Sequence, residues 1–177
     1  MMENLLKPAD RVEVTVLVDN YIDILVPPAT PVDHRVPFNP CHSLLAEHGL
    51  SSLVRVIAGK SEHAILLDAG LSRDCLFHNA RQMSLDLSVV EAVVLSHGHF
   101  DHVGGLAEFF RSAMRQVPLV LHPDAFLRRR LNNPAKDPVE LPLLDAVALK
   151  KAGADILQRK KPSTLAAGHL LVTGEVE

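Results

Sequence analysis

Only two cysteines, Cys41 and Cys75, occur in 177 residues. So few exclude a disulfide framework and point to the cytoplasm as the compartment. Each thiol reads first as a small, partly buried hydrophobe. Cys41 beside His42 also admits a nucleophile–base reading, although sequence neighbours seldom face each other. No apolar run approaches the ~18–20 residues that a membrane-spanning helix needs. The N-terminal stretch MMENLLKPAD has neither the basic start nor the long apolar centre of a signal peptide. There is no glycine-rich phosphate loop ending in GK[ST] and no G-x-S-x-G elbow. Repeats and low-complexity segments are also missing. Net charge is −3, with acids and bases interspersed, which leaves no basic face for nucleic acid. The one basic cluster, Arg128-Arg129-Arg130, reads as a solvated helix end. The partner expected is a small molecule, not a nucleic acid or a membrane.

What is present suits one globular domain over residues 1–177. Hydrophobic residues make up 47%, and a chain of this length can bury roughly 70% of its unfolded surface. Val-rich RVEVTVLVDN (11–20) has period-two spacing and predicts a strand ending at Asp19-Asn20. Residues 27–40, PPATPVDHRVPFNP, hold five prolines and predict an irregular loop, a lid or a wall. SSLVRVIAG (51–59) and HAILLDAG (63–70) flank Gly59-Lys60 as a hairpin. Residues 72–84 predict a short helix capped by Ser72. VEAVVLSHGH (90–99) reads as a strand covered on both faces that ends in polar residues. LAEFFRSAMRQ predicts a helix with apolar residues at 106, 109, 110 and 113, stopped by Pro118. PLVLHP (118–123) is a further buried strand, LPLLDAVALKKAGA (141–154) a helix closed by Gly153, and ADILQ and GHLLVTG short final strands. Strands and helices alternate, so the fold class expected is α/β in layers. Polar groups recur where apolar strands end, at Asp19-Asn20, Asp68, His97-His99 and His122, and open α/β sheets gather sites at such ends.

The densest chemistry is LSHGHFDHVGGL (95–106). Three histidines and an aspartate fall within six positions. His97 and His99 are two residues apart and can point the same way. Asp101 and His102 follow on the next turn and project nearby, so one loop can feed two adjacent metal positions. Imidazole and carboxylate donors without thiolate suit zinc, iron, manganese or nickel. A single histidine is more often a hydrogen-bonding residue than a ligand; four such donors directly after a VVL strand make coincidence a poor account.

This strand, then S-H-G-H-F-D-H, then V-G-G-L opening a helix, resembles the metallo-β-lactamase-fold superfamily. VLVDN, AEHGLSSLV (46–54), ILLDAG (65–70), VLHPDAFLRRR (120–130) and VTGEV (172–176) resemble one branch. That branch comprises metal-dependent hydrolases of the β-lactamase superfamily II, and includes enzymes named 7,8-dihydropterin-6-yl-methyl-4-(β-D-ribofuranosyl)aminobenzene 5′-phosphate synthase. The resemblance implies an αβ/βα sandwich with a one- or two-metal hydrolytic site, zinc foremost. It implies that His97 and His99 hold a first metal, and Asp101 and His102 a second. The nucleophile would be water activated by the metals, with Asp101 orienting it or taking its proton. Asp68 would orient a ligand histidine, or merely end its strand. Asn20, His48 and His122 would line the cleft, or serve as turn and hydrogen-bonding residues.

The same resemblance implies a second αβ half that supplies another histidine, a bridging aspartate and a late histidine. After His122 the sequence holds one further histidine, His169, in AAGHLLVTG. His169 is a candidate ligand or incidental; Asp155 and Glu175 are open as the missing acids. The expectation is a first αβ half plus the start of the second, truncated or completed by another copy or chain. An apolar sheet face would then favour association. The rival to a metal-dependent hydrolase acting on a small, phosphorylated substrate is an incomplete metal-binding fragment or interaction module. A β-lactam-degrading activity is disfavoured by the branch motifs.

Overall fold

The computed structural model describes residues 6–27, 30–37, 39–134 and 136–175. Pro28, Ala29 and Phe38 of the proline-rich stretch, and Val176 of the last motif, lie outside the described residues. The elements in chain order are β1 (Arg11–Val18), β2 (Ser51–Ala58), β3 (Ser61–Leu67), α1 (Arg73–Gln82), β4 (Ala92–Val94), α2 (Leu106–Ser112) and β5 (Val117–Leu121). Then come β6 (Arg130–Asn133), β7 (Lys136–Glu140), α3 (Ala146–Ala152), β8 (Ala154–Gln158), β9 (Ser163–Leu165) and β10 (Leu170–Val172).

Six strands form one sheet in the order β1-β2-β3-β4-β5-β8, while β6–β7 and β9–β10 are separate two-stranded ribbons. The first three strands pair antiparallel through the expected hairpin. β3, β4, β5 and β8 are parallel. Leu67 pairs with Val94, and Val94 with Val120, so the ends of β3, β4 and β5 are level. β1 runs in the same direction as β3, because each is antiparallel to β2. One rim of the sheet therefore receives the residues that follow β1, β3, β4, β5 and β8, and those that precede β2.

Period-two spacing sends alternate residues to opposite faces. On one face, Leu53, Leu66, Val93, Leu95 and Leu119 pack with Leu76 of α1, Phe109 and Phe110 of α2 and Leu149 of α3. Ser72 caps α1 by accepting a hydrogen bond from the Cys75 amide. On the other face, Ile65, Ala92, Val94 and Val120 form a smaller cluster, against which Leu165, Leu170 and Val172 of the β9–β10 ribbon pack. Val12, Val14 and Val16 are in register with Val56, Val54 and Ser52 on that face, and are 55, 62 and 46% exposed. No described helix is long and apolar enough to cross a membrane.

Three local expectations need correction. The helix predicted from 141 begins only at Ala146, because the Asp145 carboxylate accepts from the Val147 and Ala148 amides and so starts it there. α2 ends at Ser112, with Met114 already at φ 52. Arg128-Arg129-Arg130 ends no helix. A 3-10 turn (Pro123–Phe126) precedes it, and Arg130 opens the unforeseen ribbon β6–β7.

The two thiols should behave differently. Cys41 is exposed and Cys75 buried. Burial, with the Glu47 carboxylate adding to it, pushes the Cys75 thiol up to about 11. At pH 8 it stays protonated and shielded, and the thiolate is the reactive form. Titration with a disulfide reagent should modify one thiol quickly and the second only after denaturant is added. Two equally fast thiols would contradict this packing.

Candidate metal centre at the sheet rim

The site begins with an unusual backbone. Asp68 directly follows β3, is fully buried, and adopts φ 56. A non-glycine residue in that region costs of order 1–3 kcal/mol and persists only where its surroundings impose it. Here they do. The Asp68 amide donates to Val94 O at 2.9 Å, and its carbonyl accepts from Ser51 Oγ at 2.8 Å. The carboxylate turns toward the loop after β4. It accepts from the Ser96 amide at 2.8 Å, from Ser96 Oγ at 2.6 Å and from His102 Nδ1 at 2.7 Å.

Donor and acceptor counting then settles the imidazole tautomers. An ionised carboxylate only accepts, so His102 carries a proton on Nδ1, and its Nε2 is turned toward Asp101. Ser96 gives its single hydroxyl proton to Asp68. Its oxygen must accept from His97 Nδ1, 2.9 Å away, which leaves His97 Nε2 with a lone pair. His99 Nδ1 stands 2.9 Å from that Nε2 and donates to it. The His97 ring lies between the other two, with centroids 4.5 Å from His99 and 4.2 Å from His102. Burial lowers the His97 pKa, and the neighbouring His102 and His99 rings lower it further, against the opposite pull of Asp68 and Asp101. His97 is therefore held neutral.

Asp101 lies on the 3-10 turn Phe100–His102. Its Oδ2 is 3.7 Å from His102 Nε2 and 3.3 Å from His48 Nε2. His48 is 74% exposed, so it stands at the solvent side of the cluster. Gly49 brings it there: at φ 127, its backbone packs on the Asp101 carbonyl, and any side chain would collide with that oxygen. Gly98 packs equally closely on Ala125, where a Cβ would lie within 2.7 Å of the Ala125 Cα. The segment 69–70 after β3 is laced to 102–105 by Ala69 N to His102 O, Gly104 N to Gly70 O and Gly105 N to Ala69 O.

The rim thus gathers His97, His99, Asp101, His102, Asp68 and His48 of the residues singled out from the sequence. His122 follows β5 and shares a groove of about 450 Å³ with Val94, Ser96, Val120, Arg159 and Val172. Its Nδ1 accepts from the Asp124 amide at 3.2 Å, and its buried Nε2 has no hydrogen-bond partner among the described residues. A larger hollow of about 910 Å³ runs beside β1 and residues 21–45, and no residue of the histidine loop lines it. Asn20 is exposed, its amide held by Asp19 Oδ1, with no hydrogen bond to the histidine loop. His169 is not at the rim. It stacks on His63, 6.3 Å away, and His63 precedes Asp68 by five residues, roughly 16 Å of strand. Cys41 is exposed and His42 Nδ1 lies 3.1 Å from Gln82 Oε1, with no hydrogen bond between the Cys41 and His42 side chains among the described residues.

The donors fit a transition-metal ion in chemical type: imidazoles and a carboxylate, with one imidazole anchored through its other nitrogen by a buried acid. As the side chains stand, no group of three or more His, Cys, Asp or Glu among the described residues is gathered to hold one ion. The donors are arranged as neighbouring pairs. Sequence reasoning missed Ser96, Glu47 and Arg129. Glu47 Oε1 accepts from the Leu71 and Ser72 amides, both at 2.9 Å, and braces the chain after Asp68. Only Ser96, between the strand and His97, had a local signal.

Residues 46–170 match the family described as the Metallo-beta-lactamase superfamily. Over 81 residues, 46% of this chain, it is 30% identical to 7,8-dihydropterin-6-methyl-4-(beta-D-ribofuranosyl)-aminobenzene-5'-phosphate synthase of Methanocaldococcus jannaschii. It is 33% identical to an uncharacterized protein of the same organism over 88 residues, 50% of this chain. These matches span 28% and 32% of the two relatives' own lengths. Among solved structures, the metallo-beta-lactamase fold protein YhfI from Bacillus subtilis aligns with 89% of this chain and 51% of its own, at TM-score 0.47 and 16% identity. A subclass B3 metallo-beta-lactamase from a soil metagenome library aligns with 66% of this chain and 43% of its own, at TM-score 0.39 and 22% identity.

Gly98→Ala tests the close packing of the histidine loop. The added methyl must displace the Ala125 backbone, an overpacking worth roughly 1–3 kcal/mol. Urea unfolding should show that loss; an unchanged midpoint would mean the loop is not seated on Ala125.

Proposed function

We propose that this chain, which belongs to the metallo-beta-lactamase superfamily, carries the first ligand cluster of a metal-dependent hydrolase. His97 and His99 would hold one divalent ion, and Asp101 with His102 a second. Zinc suits these donors best; iron, manganese and nickel are compatible with them. Such an ion, when bound, lowers the pKa of water toward neutrality and polarises an ester or phosphate oxygen. The observation that carries the reading is the double anchoring by Asp68: one buried carboxylate engages Nδ1 of His102 directly and Nδ1 of His97 through the Ser96 hydroxyl, so the Nε2 atoms of both rings point away from it.

The chain's own residues divide the remaining work. Asp68 keeps His102 in one tautomer directly, and His97 through Ser96. Burial keeps His97 neutral at physiological pH, so its nitrogen stays a donor of electrons rather than of a proton. Asp101 Oδ2 is a proton acceptor at the cluster and orients water there. His48, exposed and 3.3 Å from that oxygen, can pass the proton on to solvent. The substrate is a small molecule entering from the rim. A phosphorylated one agrees with the name of the Methanocaldococcus relative, of which 28% is matched.

A second reading has its own support: among the described residues the donors stand in pairs, with no group of three. On that reading the chain is a metal-binding fragment or interaction module, completed by a second copy or by another chain. A metal count separates the two. Two tightly held ions per protomer after dialysis support the hydrolase; one weakly held ion or none supports the module.

Mutation tests the ligand assignment. His99→Ala should remove bound zinc, measured by elemental analysis, and lower turnover of an activated phosphodiester at least about 100-fold, with the circular dichroism spectrum retained. Asp68→Asn should weaken zinc binding about 10- to 100-fold, as loss of an orienting carboxylate does elsewhere. Retention of full zinc content and turnover by His99→Ala would show that the site lies elsewhere.

A further inference from the structure

Three consecutive arginines follow the turn after β5, and their side chains have different fates. Arg128 and Arg130 are exposed, whereas Arg129 is half-buried. Arg129 makes no ion pair with a carboxylate among the described residues. Its guanidinium instead donates to four backbone carbonyls. Nη1 reaches Gly98 O at 3.1 Å, Ala125 O at 3.1 Å and Leu127 O at 2.9 Å, and Nη2 reaches Asp124 O at 2.7 Å. Three of these carbonyls belong to the 3-10 turn Pro123–Phe126 and the residue after it. The fourth is 31 positions earlier, in the residue between His97 and His99.

The Gly98 backbone is thus gripped twice. Its Cα side lies directly on the Ala125 backbone, with no room for a side chain. Its carbonyl is held by a planar fork that is itself anchored on the turn. Two imidazoles whose backbones flank one immobilised residue share one frame. The 2.9 Å approach of His97 Nε2 to His99 Nδ1 depends on that frame. Asp68 after β3 and Ser96 after β4 fix the His97 ring, but neither makes a hydrogen bond to His99. A lysine cannot substitute. Its single ammonium lacks the rigid fork that spans carbonyls of two segments.

We infer that Arg129 is the positioning residue of the His97–His99 pair, cross-bracing the Gly98 carbonyl to the turn after β5 so that the two imidazole nitrogens converge. The inference rests on the reading of that pair as metal ligands, and it adds a residue from a different strand connection to the site's construction. Arg129 touches neither ligand nitrogen; it acts through the backbone.

The test uses the full chain with Arg129→Lys and Arg129→Ala, and Arg128→Ala as an exposed control. In metal-free protein, nitrogen NMR of the imidazoles reports each tautomer. Both Arg129 variants should lose the His99 Nδ1 tautomer signal while keeping the His102 Nδ1 proton on Asp68. Cobalt titration should show binding weakened about 10- to 100-fold and an altered visible spectrum. Added guanidinium should restore part of both signals in Arg129→Ala, and Arg128→Ala should match the parent. Unchanged His99 signals in both variants would overturn the inference. So would joint loss of the His97, His99 and His102 signals without guanidinium rescue, since Arg129 would then only stabilise the fold. If the parent itself takes up no cobalt, the ligand reading fails, and the metal-free imidazole signals still decide the role of Arg129.

Discussion

A carboxylate buried without water must be satisfied by protein donors or be neutralised. Asp68 is satisfied three times, twice by Ser96 and once by His102, and the rest of the rim depends on that satisfaction. The backbone amide of Ser96 fixes where the chain leaves β4. The hydroxyl carries the effect to His97, and the imidazole of His102 brings back the far end of the loop. Removing one partner of such a network leaves a polar group unpaired in a dry setting, which costs more than any one of its hydrogen bonds contributes. The left-handed backbone of Asp68 is the cost of turning its side chain from the end of β3 toward a neighbouring strand.

The sheet makes this arrangement possible. Because β3, β4 and β5 are parallel and level, the loops leaving them emerge side by side, and residues as far apart as Asp68 and His102, 34 positions, become neighbours. The core on the helix face, with Phe109, Phe110 and Leu76 at its centre, keeps those strands rigid. Glycines allow the closest approaches, at Gly49 against Asp101 and Gly98 against Ala125. Rigid strands, one buried acid and loops pressed onto each other's backbones leave the His97 and His102 rings little freedom. That pre-arrangement is what a site on loops needs if its donors are to meet an ion without a large ordering cost.

The two faces of the sheet differ in a way that bears on function. One is closed by three helices. The other is covered near β4 and β5 by the β9–β10 ribbon and leaves Val12, Val14 and Val16 open at β1. The partly open groove beside Ser96 and His122 lies on this second face. Family membership rests on residues 46–170, which hold every residue of the rim cluster, while the matched segments are less than a third of the Methanocaldococcus relatives. The hydrolase and the module readings therefore share one site and differ in what surrounds it.

Much was legible in the amino-acid sequence. Alternating valines, the Gly59-Lys60 hairpin, the Ser72 cap and the run VEAVVL before S-H-G-H-F-D-H determined the strands, the first helix and the candidate loop, because those signals are local: period, capping and turn chemistry act over a few residues. Arg128-Arg129-Arg130 shows where local reading stops, since nothing in three like charges tells which guanidinium turns inward. Only the tertiary structure decided that Arg129 grips Gly98, that Ser96 relays Asp68 to His97, that His48 meets Asp101, and that His169 sits against His63 away from the rim. The physical reason is the same in each case. These contacts join segments that meet through sheet order and strand direction, and a hydrogen bond between distant segments leaves no period or spacing in the chain that makes it.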